Sequence, residues 1–488
     1  MGSTISGSSK HKKQKTVIKA ANHLKLATIP HPFNILPLGN LYLASKDDTE
    51  KRTTGLGRLH RLPDELLVTF LAQLHLSARD LCRLSQCSQM LYAFSRNDDL
   101  WRSMYTRDFG SKGGLNFKST WLYTYATSSA AHVAEPRPIR LRGIYSDVLY
   151  LPHFYNTVPL DRLCGVNVEN IDRRSCLSLD SFIAEYGIPN KPVIITDIVT
   201  KWPAFEKWNE EYLLKQCGER TFRAEAIDLT MNEYLNYARQ CHEEAPLYLF
   251  DKKFGDSSSL TQDFTVPPYF QEDMLALLGD KRPDYRWLIV GPTRSGSTFH
   301  LDPNSTSAYN AVIKGSKKWI MYPPGTLPPG VYLSEDGSEV TSPLSVTEWF
   351  VNFYSRQNDT SAVKPIECVC RAGEVIFVPY GWFHLVVNLE PSIALTQNFT
   401  SSYALPKVLD WLETNPEQVS GYSGQDLYSD LKQALVSSRP DLVLSESTHE
   451  GKTQQQPSTA NTTSTWTQIQ QSQQDSKPFS FAFYNDDI

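Results

Sequence analysis

Residues 291–319 read GPTRSGSTFHLDPNSTSAYNAVIKGSKKW, and two candidate metal ligands in this stretch are separated by one residue. On a strand, His300 and Asp302 would point to the same face, so an imidazole and a carboxylate could bind one metal ion. A third candidate, His384, follows the turn at 379–381 between two apolar segments. Two histidines and one carboxylate form the facial triad that leaves positions open on Fe(II). For each histidine alone, a hydrogen-bonded place in the core is the alternative.

Other side chains near these residues suit a site for a small anion. By the period of two of a strand, Lys317 shares a face of an apolar segment with Trp319. A lysine directed into a core needs an anion, and the distal carboxylate of 2-oxoglutarate would satisfy it. Asn310 and Thr396 lie in two further apolar segments, where solvent exposure or a core hydrogen bond is the alternative for each. Together they predict an inward-facing site for a dianion.

Short apolar segments alternate with turn-forming clusters between residues 245 and 399. Strands at this spacing predict a β-sandwich or β-barrel. After Ala404, apolar residues return to helical spacing, which predicts helices over 404–444. The predicted strands are 248–250, 287–290, 308–313, 319–322, 375–378, 384–387 and 393–396.

Five short motifs stand out in the second half of the sequence: HxD at 300–302, TSAYN at 306–310, GSKKW at 315–319, PYGWFHLVVNL at 379–389 and ALTQNF at 394–399. They resemble those of the JmjC oxygenases, and within them the phosphatidylserine-receptor-like group of arginine demethylases and lysyl hydroxylases of nuclear proteins. The similarity extends over about residues 191–403. It implies an α+β protein whose JmjC domain, at 166–403, is a double-stranded β-helix, the cupin-like jelly roll.

The resemblance also implies a role for individual residues. His300, Asp302 and His384 match the catalytic iron ligands, while Lys317 and Thr396 match the residues that hold the distal carboxylate of 2-oxoglutarate. Four further positions match or replace family residues in or around the cosubstrate pocket. Tyr248 and Asn310 match cosubstrate contacts, and Ser297 replaces a threonine while keeping its hydroxyl; Tyr309 replaces a tryptophan and is expected to form a pocket wall.

The reaction implied by the resemblance uses Fe(II), 2-oxoglutarate as cosubstrate and dioxygen. Oxidative decarboxylation gives succinate and carbon dioxide, and a carbon of a bound protein side chain is hydroxylated. On an N-methyl group of arginine or lysine, the product loses formaldehyde, which is demethylation. On a lysine side-chain carbon, the hydroxyl group stays. A histone or another nuclear protein is the implied substrate class.

An apolar helical pattern begins at Leu62, where LPDE places a proline and two acids at a helix amino terminus. Three short helices are predicted, with stripes at 66–74, 81–91 and 100–105, and a plain helical mini-domain is one interpretation. Residues 59–109 also resemble an F-box, which implies binding to a Skp-type adaptor of a cullin ubiquitin ligase. The partner-binding residues would be Leu62, Pro63, Leu66 and Leu67. We expect Leu62, Leu66 and Leu67 to be partly exposed, because a docking surface needs an uncovered apolar patch.

Charge and composition restrict the remaining classes. The 488 residues carry 53 acidic and 48 basic side chains, which gives a net charge of −5. Such a balance does not favour electrostatic binding of nucleic acid by the protein as a whole. No apolar run is long enough to span a membrane, and no secretory signal is present, which predicts a location in the nucleus, the cytoplasm or both. The eight cysteines lack the spacing of a disulfide scaffold, so reduced, mostly buried thiols are expected.

The remaining segments complete the domain map. We expect a flexible lead-in at 1–58, whose basic cluster at 10–15 is either a nuclear import signal or a solvated tail, and a connector at 110–165. The Ser/Thr/Gln-rich stretch at 445–477 predicts disorder. Residues 478–488 contain alternating phenylalanines that predict either a docked edge strand or a free end.

Two functions of different classes remain open. One is the oxygenase described above; the alternative is a substrate-recognition adaptor of a ubiquitin ligase, with or without catalysis. An intact triad beside an inward lysine favours turnover, because recognition alone does not need those residues. Hydroxylation of a transfer RNA base is a third hypothesis, and the absence of a basic stripe makes it less favoured.

Overall fold

The protein divides into two compact units in a computed structural model. The first contains the residues up to 159 together with 226–229 and 233–244, and the second contains the rest. The structure describes residues 29–43, 51–130, 133–135, 137–160, 168–255, 259–335, 340–343, 345–358 and 363–442. The predictions for residues 1–28, 445–477 and 478–488 therefore lie outside the described residues.

The first unit is helical. Its α-helices are α1 (Arg52–Leu56), α2 (Asp64–Gln73), α3 (Ala78–Leu84), α4 (Gln89–Ser95), α5 (Asp98–Phe109), α6 (Trp121–Ser129) and α7 (Asp147–Thr157), with 3-10 turns at Leu38–Leu43 and Gly57–Arg61. The prediction of one helix over 81–91 was wrong. Ser88 accepts a hydrogen bond from the backbone N–H of Leu91 and so begins a new helix, α4.

Helix α2 has two apolar faces with opposite environments. Leu67 is 0% exposed and packs inward with Leu71, so the prediction that Leu67 is partly exposed was wrong. The next residues along the helix turn away from this face because of its 3.6-residue period. Leu66, Phe70 and Leu74 are 55%, 38% and 46% exposed, and Leu62 is half-buried. The exposed apolar surface of α2 is therefore the stripe formed by Leu66, Phe70 and Leu74.

The described part of the amino-terminal segment is structured, contrary to the predicted flexible lead-in at 1–58. Ile35 is buried, and Leu36 forms an isolated parallel bridge with Tyr145. Helix α1 lies within the same segment and buries Leu56. Single apolar residues are anchored here on distant partners, which leaves no periodic pattern in the sequence. The predicted connector at 110–165 contains α6 and α7.

The second unit is built on two sheets. In the larger sheet its strands run in the order β1-β2-β13-β8-β15-β6-β5-β3, and the smaller sheet has the order β12-β9-β14-β7. Strands β10 and β11 pair separately. The strands of the chain are β1 (Asp172–Arg174), β2 (Val193–Ile195), β3 (Thr221–Ala224), β4 (Ile227–Thr230), β5 (Leu249–Asp251), β6 (Arg286–Gly291), β7 (Gly296–His300), β8 (Ser307–Lys314), β9 (Ser316–Tyr322), β10 (Tyr332–Leu333), β11 (Val340–Thr341), β12 (Ile366–Arg371), β13 (Val375–Val378), β14 (Phe383–Asn388) and β15 (Ser392–Phe399).

A buried core joins the facing sides of the two sheets. Ala308 and Val312 of the larger sheet pack in one cluster with Trp319 and Met321 of the smaller sheet. The opposite side of the smaller sheet is covered by helix Val346–Asn352, whose Trp349 is fully buried. Two sheets around one core form the cupin-like domain, and the mixed α+β class is confirmed.

The second unit also contains helices, and two of them form its carboxy-terminal part. The helices of the second unit are α8 (Leu179–Phe182), α9 (Pro203–Lys207), α10 (Glu210–Cys217), α12 (Val346–Asn352), α13 (Leu405–Thr414) and α14 (Leu427–Ser438), with a π-helical turn at Ile183–Gly187 and 3-10 turns at Val199–Lys201, Ser259–Gln262, Pro268–Phe270, Met274–Lys281, Pro303–Ser305, Tyr354–Asn358 and Pro416–Gln418. Helix α11 (Met231–Gln240) begins in the second unit, and its residues from 233 onward belong to the first. The predicted carboxy-terminal helices are α13 and α14, which share a buried leucine cluster with Met274 and Leu275.

The predictions about membrane-spanning segments and about cysteines have different outcomes. Within the described ranges, no helix has the length and apolar character needed to cross a bilayer. The seven cysteines of those ranges are free thiols, but only Cys217, Cys368 and Cys370 are buried. The expectation of mostly buried thiols was therefore wrong.

Candidate metal centre

The structure brings the three predicted metal ligands together. The ligand atoms of His300, Asp302 and His384 all lie within 4.8 Å of one another. His300 ends β7 and His384 lies directly opposite it on β14, with 4.2 Å between the ring centroids. Asp302 does not share the strand as expected: it lies beyond the end of β7 and begins the 3-10 turn at Pro303–Ser305. Antiparallel pairing and this turn therefore form the cluster together.

Both imidazoles are held in one tautomer by the backbone. The Nδ1 atom of His300 donates to the carbonyl oxygen of Thr298 at 2.8 Å, and that of His384 donates to Trp382 at 2.9 Å. A carbonyl oxygen only accepts hydrogen bonds, so each Nδ1 carries the proton and each Nε2 keeps its lone pair. Histidine ligands of metals are oriented in this way. The donor set therefore fits a divalent transition metal.

The electrostatics of the cluster also favour a cation. Burial lowers the pKa of both His300 and His384 to about 4, so the rings stay neutral at physiological pH. Burial raises the pKa of Asp302 to about 6, against the opposing effects of His300 and a hydrogen bond from Asn398. A carboxylate that is desolvated in this way is stabilised by a metal ion. The described residues thus provide two neutral nitrogen donors and one carboxylate.

Lys317 is a buried cation that has no carboxylate partner within the described part of the chain. It is 1% exposed, and its ammonium group donates to the hydroxyl oxygen of Tyr248 at 2.6 Å. Burial lowers the pKa of Lys317 to about 7. A charged group in such an environment is stabilised by an anionic ligand. The predicted inward placement of Lys317 agrees with its burial, and the structure places Tyr248 in contact with it.

The other predicted cosubstrate residues lie on neighbouring strands of the larger sheet. Asn310 on β8 is directly opposite Thr396 on β15, so both side chains point to the same face. The Thr396 hydroxyl donates to the carbonyl of Tyr309 at 2.9 Å. The Asn310 Oδ1 atom is buried and has no hydrogen-bond partner among the residues that the structure describes. An unsatisfied buried acceptor of this kind fits a place in a ligand site.

Ser297 reaches the inner face through an irregularity in β7. Its cross-strand partner is Val386, whereas the partner of His300 is His384. Three steps along β7 therefore correspond to two steps along β14, which is the signature of a β-bulge. Directly opposed residues share a face, so Ser297 lies on the same side of the sheet as His300. Simple alternation along β7 would have placed these two side chains on opposite faces.

The expectation that Tyr309 forms a pocket wall was wrong. Tyr309 is next to Asn310 on β8, so the pleat directs it away from the facing sheet. Its ring stacks on Phe270 with 4.8 Å between centroids, and its hydroxyl lies 3.3 Å from the side-chain oxygen of Gln397. Tyr309 is fully buried on the side of the larger sheet that faces away from the smaller sheet.

The structure adds one residue that was not among the predicted site residues. Asn388 is 0% exposed and lies directly opposite Lys317. Its amide nitrogen donates to the hydroxyl of Ser295 at 2.8 Å. Its Oδ1 atom is buried and accepts no hydrogen bond from the described part of the chain. A Cβ atom on Gly291 would collide with the side chains of Ser295 and Asn388, so any larger residue here would force these side chains to shift. The signal for Asn388 was its period-two spacing from His384; no sequence pattern indicated the need for Gly291.

Comparison with known protein families agrees with this geometry. A model described as a cupin-like domain matches residues 179–405, and an F-box-like model matches 59–107. The chain is 41% identical over 429 residues to the arginine-specific demethylase JMJ22 of Arabidopsis thaliana, and the match covers 86% of this chain and 84% of that protein. The chain belongs to the JmjC oxygenase family. Its F-box-like segment ends close to the predicted boundary at 109.

Two further relatives of this JmjC protein cover shorter regions. The bifunctional arginine demethylase and lysyl-hydroxylase psr-1 of Caenorhabditis elegans is 33% identical over 270 residues, which are 53% of this chain and 64% of that protein. The 2-oxoglutarate and iron-dependent oxygenase JMJD4 of Gallus gallus is 28% identical over 279 residues, covering 51% of this chain and 64% of the relative. Membership of the JmjC family identifies the chain as an enzyme of the 2-oxoglutarate-dependent dioxygenase class.

Proposed function

We propose that this JmjC oxygenase hydroxylates a carbon of a protein side chain, with Fe(II) bound by His300, Asp302 and His384. The observation that carries the proposal is the convergence of the three ligand atoms within 4.8 Å beside a buried lysine. Fe(II) in such a site would activate dioxygen for the oxidative decarboxylation of 2-oxoglutarate. The two backbone-bonded histidines keep their donor atoms fixed and neutral while the metal binds.

In this site, 2-oxoglutarate would be held by Lys317 at its distal carboxylate, and its 2-oxo acid end would lie near the triad. The ammonium of Lys317 pairs with the distal carboxylate. The Tyr248 hydroxyl accepts from Lys317 and keeps its own proton to donate to the same carboxylate, whereas the Thr396 hydroxyl would have to turn from the carbonyl of Tyr309 to do so. The buried Oδ1 atom of Asn310 orients a protonated or water-bridged part of the ligand, and Ser297 lies on the same inner face as His300. The low-dielectric surroundings strengthen the Lys317 interaction. This arrangement holds the 2-oxo acid end of the ligand near the triad.

The names of two relatives, JMJ22 and psr-1, support a protein substrate with an arginine or lysine target. JMJ22 is named as an arginine-specific demethylase, and psr-1 is named as both an arginine demethylase and a lysyl hydroxylase. We propose the same two outcomes here, on a histone or another nuclear protein. They are separated by incubating matched methyl-arginine, methyl-lysine and unmethylated lysine peptides with the protein, Fe(II) and 2-oxoglutarate. Formaldehyde release identifies demethylation, whereas a retained oxygen atom identifies lysyl hydroxylation.

A second candidate function is recruitment of a Skp-type adaptor of a cullin ubiquitin ligase. The observation that favours it is the exposed stripe Leu66, Phe70 and Leu74 on α2, inside the F-box-like segment. An apolar stripe on one helix face, beside the exposed Pro63, suits a helical partner. The adaptor role and catalysis are compatible, since ligase recruitment and oxidation would use different units of the chain.

Replacing Leu66 and Phe70 of this stripe should abolish adaptor binding without unfolding the protein. We expect the double variant Leu66→Asp/Phe70→Asp to lose capture of a purified Skp-type adaptor in a pull-down, because charges replace the apolar contacts. Its melting temperature should stay near wild type, since neither side chain is buried. Leu67→Ala is the matched control. Its fully buried side chain should cost about 2–5 kcal/mol of stability while the exposed stripe remains.

Equal capture of the adaptor by wild type and by the double variant would show that the stripe does not form the docking surface. Failure of wild type to bind any adaptor would leave the first unit with a structural role only.

A further inference from the structure

The backbone that follows Asp302 adopts an unusual conformation. Asn304 and Ser305 have φ angles of 56° and 54°, in the left-handed region that favours glycine. Neither residue is a glycine, and they lie two and three positions after a proposed metal ligand. Non-glycine residues keep such angles only where their surroundings hold them. The ligand-bearing turn must therefore be restrained by contacts outside itself.

Asn304 makes that restraint with a pair of reciprocal hydrogen bonds. Its amide nitrogen donates to the carbonyl oxygen of Ser420 at 2.9 Å, and its Oδ1 atom accepts from the Ser420 backbone N–H at 3.0 Å. Asn304 is only 3% exposed. The two bonds use one donor and one acceptor of the amide against both backbone groups of Ser420, which fixes distance and orientation together.

Ser420 is itself held by the carboxy-terminal part of the second unit. It follows the 3-10 turn at Pro416–Gln418, and the next residue, Gly421, accepts a hydrogen bond from the N–H of Asp284 at 2.9 Å. Helix α13, which precedes this loop, is fixed by the leucine cluster that it shares with α14. Ser420, the partner of Asn304, therefore lies in a loop that is held by contacts with the rest of the second unit.

We propose that Asn304 is a positioning residue for Asp302, and that the Ser420 loop makes the carboxy-terminal helices part of the metal centre. The strained turn keeps the Asp302 carboxylate beside the two histidines, and the Asn304–Ser420 pair keeps the turn strained. The inference rests on the proposed iron site. The residues after β15 would therefore contribute to metal binding, although none of them is a proposed metal ligand.

Metal affinity measures this role directly. Fe(II) binding under anaerobic conditions, and the visible absorption of bound Co(II), should be recorded for wild type, Asn304→Ala and Asn304→Gly. We expect both variants to bind each metal about 10- to 100-fold more weakly, the scale of losing an outer residue that orients a ligand. The glycine variant tolerates the left-handed backbone, so it should fold even if the alanine variant does not. The Co(II) spectrum should change in shape, since the position of one ligand changes.

The matched control is Asn170, which forms the same kind of reciprocal pair elsewhere in the unit. Its amide nitrogen donates to the carbonyl of Pro365 at 3.0 Å, and its Oδ1 atom accepts from the N–H of Glu367 at 2.6 Å. Asn170→Ala should lower thermal stability without altering metal affinity or the Co(II) spectrum. Wild-type affinity in both Asn304 variants would overturn the positioning role. Equal binding of Fe(II) by wild type and His300→Ala would instead overturn the proposed iron site, so the two failures are distinguishable.

Discussion

His300→Ala should abolish both stoichiometric Fe(II) binding and iron-dependent formation of succinate from 2-oxoglutarate. Removing an orienting partner of a ligand already costs 10- to 100-fold in metal affinity, so loss of the ligand itself should cost at least about 100-fold. The wild-type protein should bind one Fe(II) per chain and consume 2-oxoglutarate slowly even without a substrate. Metal content after anaerobic dialysis and succinate quantification check the two parts separately.

The control for this variant is His153→Ala, which removes a half-buried histidine from helix α7 of the first unit. It should leave iron binding and succinate formation unchanged. Undiminished iron-dependent succinate formation by His300→Ala would mean that His300 is not a metal ligand.

Lys317→Met should weaken 2-oxoglutarate binding by about 2–4 kcal/mol while leaving the iron site intact. This loss corresponds to about a 30- to 1000-fold rise in the dissociation constant. Methionine retains most of the volume of the lysine side chain, so the effect isolates the charge. The ligand-free variant should melt at a higher temperature than wild type, because a buried cation without a described carboxylate partner is removed. Calorimetric titration and thermal melting measure the two effects.

The pH dependence of Lys317 gives the same charge a second readout. Burial depresses its pKa from 10.5 to about 7 in the ligand-free fold, so the destabilisation is fully present below pH 7 and is lost as pH rises toward 10.5. The gain in stability of Lys317→Met should therefore be largest below pH 7. Above pH 7, 2-oxoglutarate must bind with uptake of a proton, and its affinity for wild type should fall by up to about tenfold per pH unit. Lys317→Met should lack this slope.

Lys318 is the matched control for the lysine experiment. It is the next residue along β9, is equally buried, and forms an ion pair with Glu367 at 3.1 Å on the opposite face of the sheet. Lys318→Met leaves a buried carboxylate without its cation and should cost about 3–5 kcal/mol of stability. The folded protein should keep its affinity for 2-oxoglutarate. An unchanged dissociation constant in Lys317→Met would show that another cation binds the distal carboxylate.

The features that sequence could predict are those with short-range periodicity. All seven predicted strands are present, because alternation and turn residues act locally. The triad and Lys317 were predictable because chemistry restricts which residues are directed into an apolar strand. Strand β12 was not predicted, although four consecutive residues of it, including Cys368 and Cys370, are buried.

The features that sequence could not predict depend on contacts between distant residues. The bulge that brings Ser297 to the face of His300 exists only in the pairing of β7 with β14. The bonds from Asn304 to Ser420 cross 116 positions of the chain and follow no spacing rule. Leu66 and Leu67 are adjacent leucines, and only the packing of α2 decides which of them is exposed. Tertiary partners therefore determine these details, whereas the fold class and the candidate metal ligands are already visible in the sequence.

The most direct test of the oxygenase account is the fate of dioxygen. Wild-type protein should be incubated with Fe(II), 2-oxoglutarate and oxygen-18 gas, and the succinate should be examined by mass spectrometry. Oxidative decarboxylation places one atom of dioxygen in succinate whatever the protein substrate is, so the account predicts succinate that carries one oxygen-18 atom. The label should require Fe(II) and be absent from His300→Ala. Succinate without the label, or no succinate from iron-loaded wild type, would contradict the account.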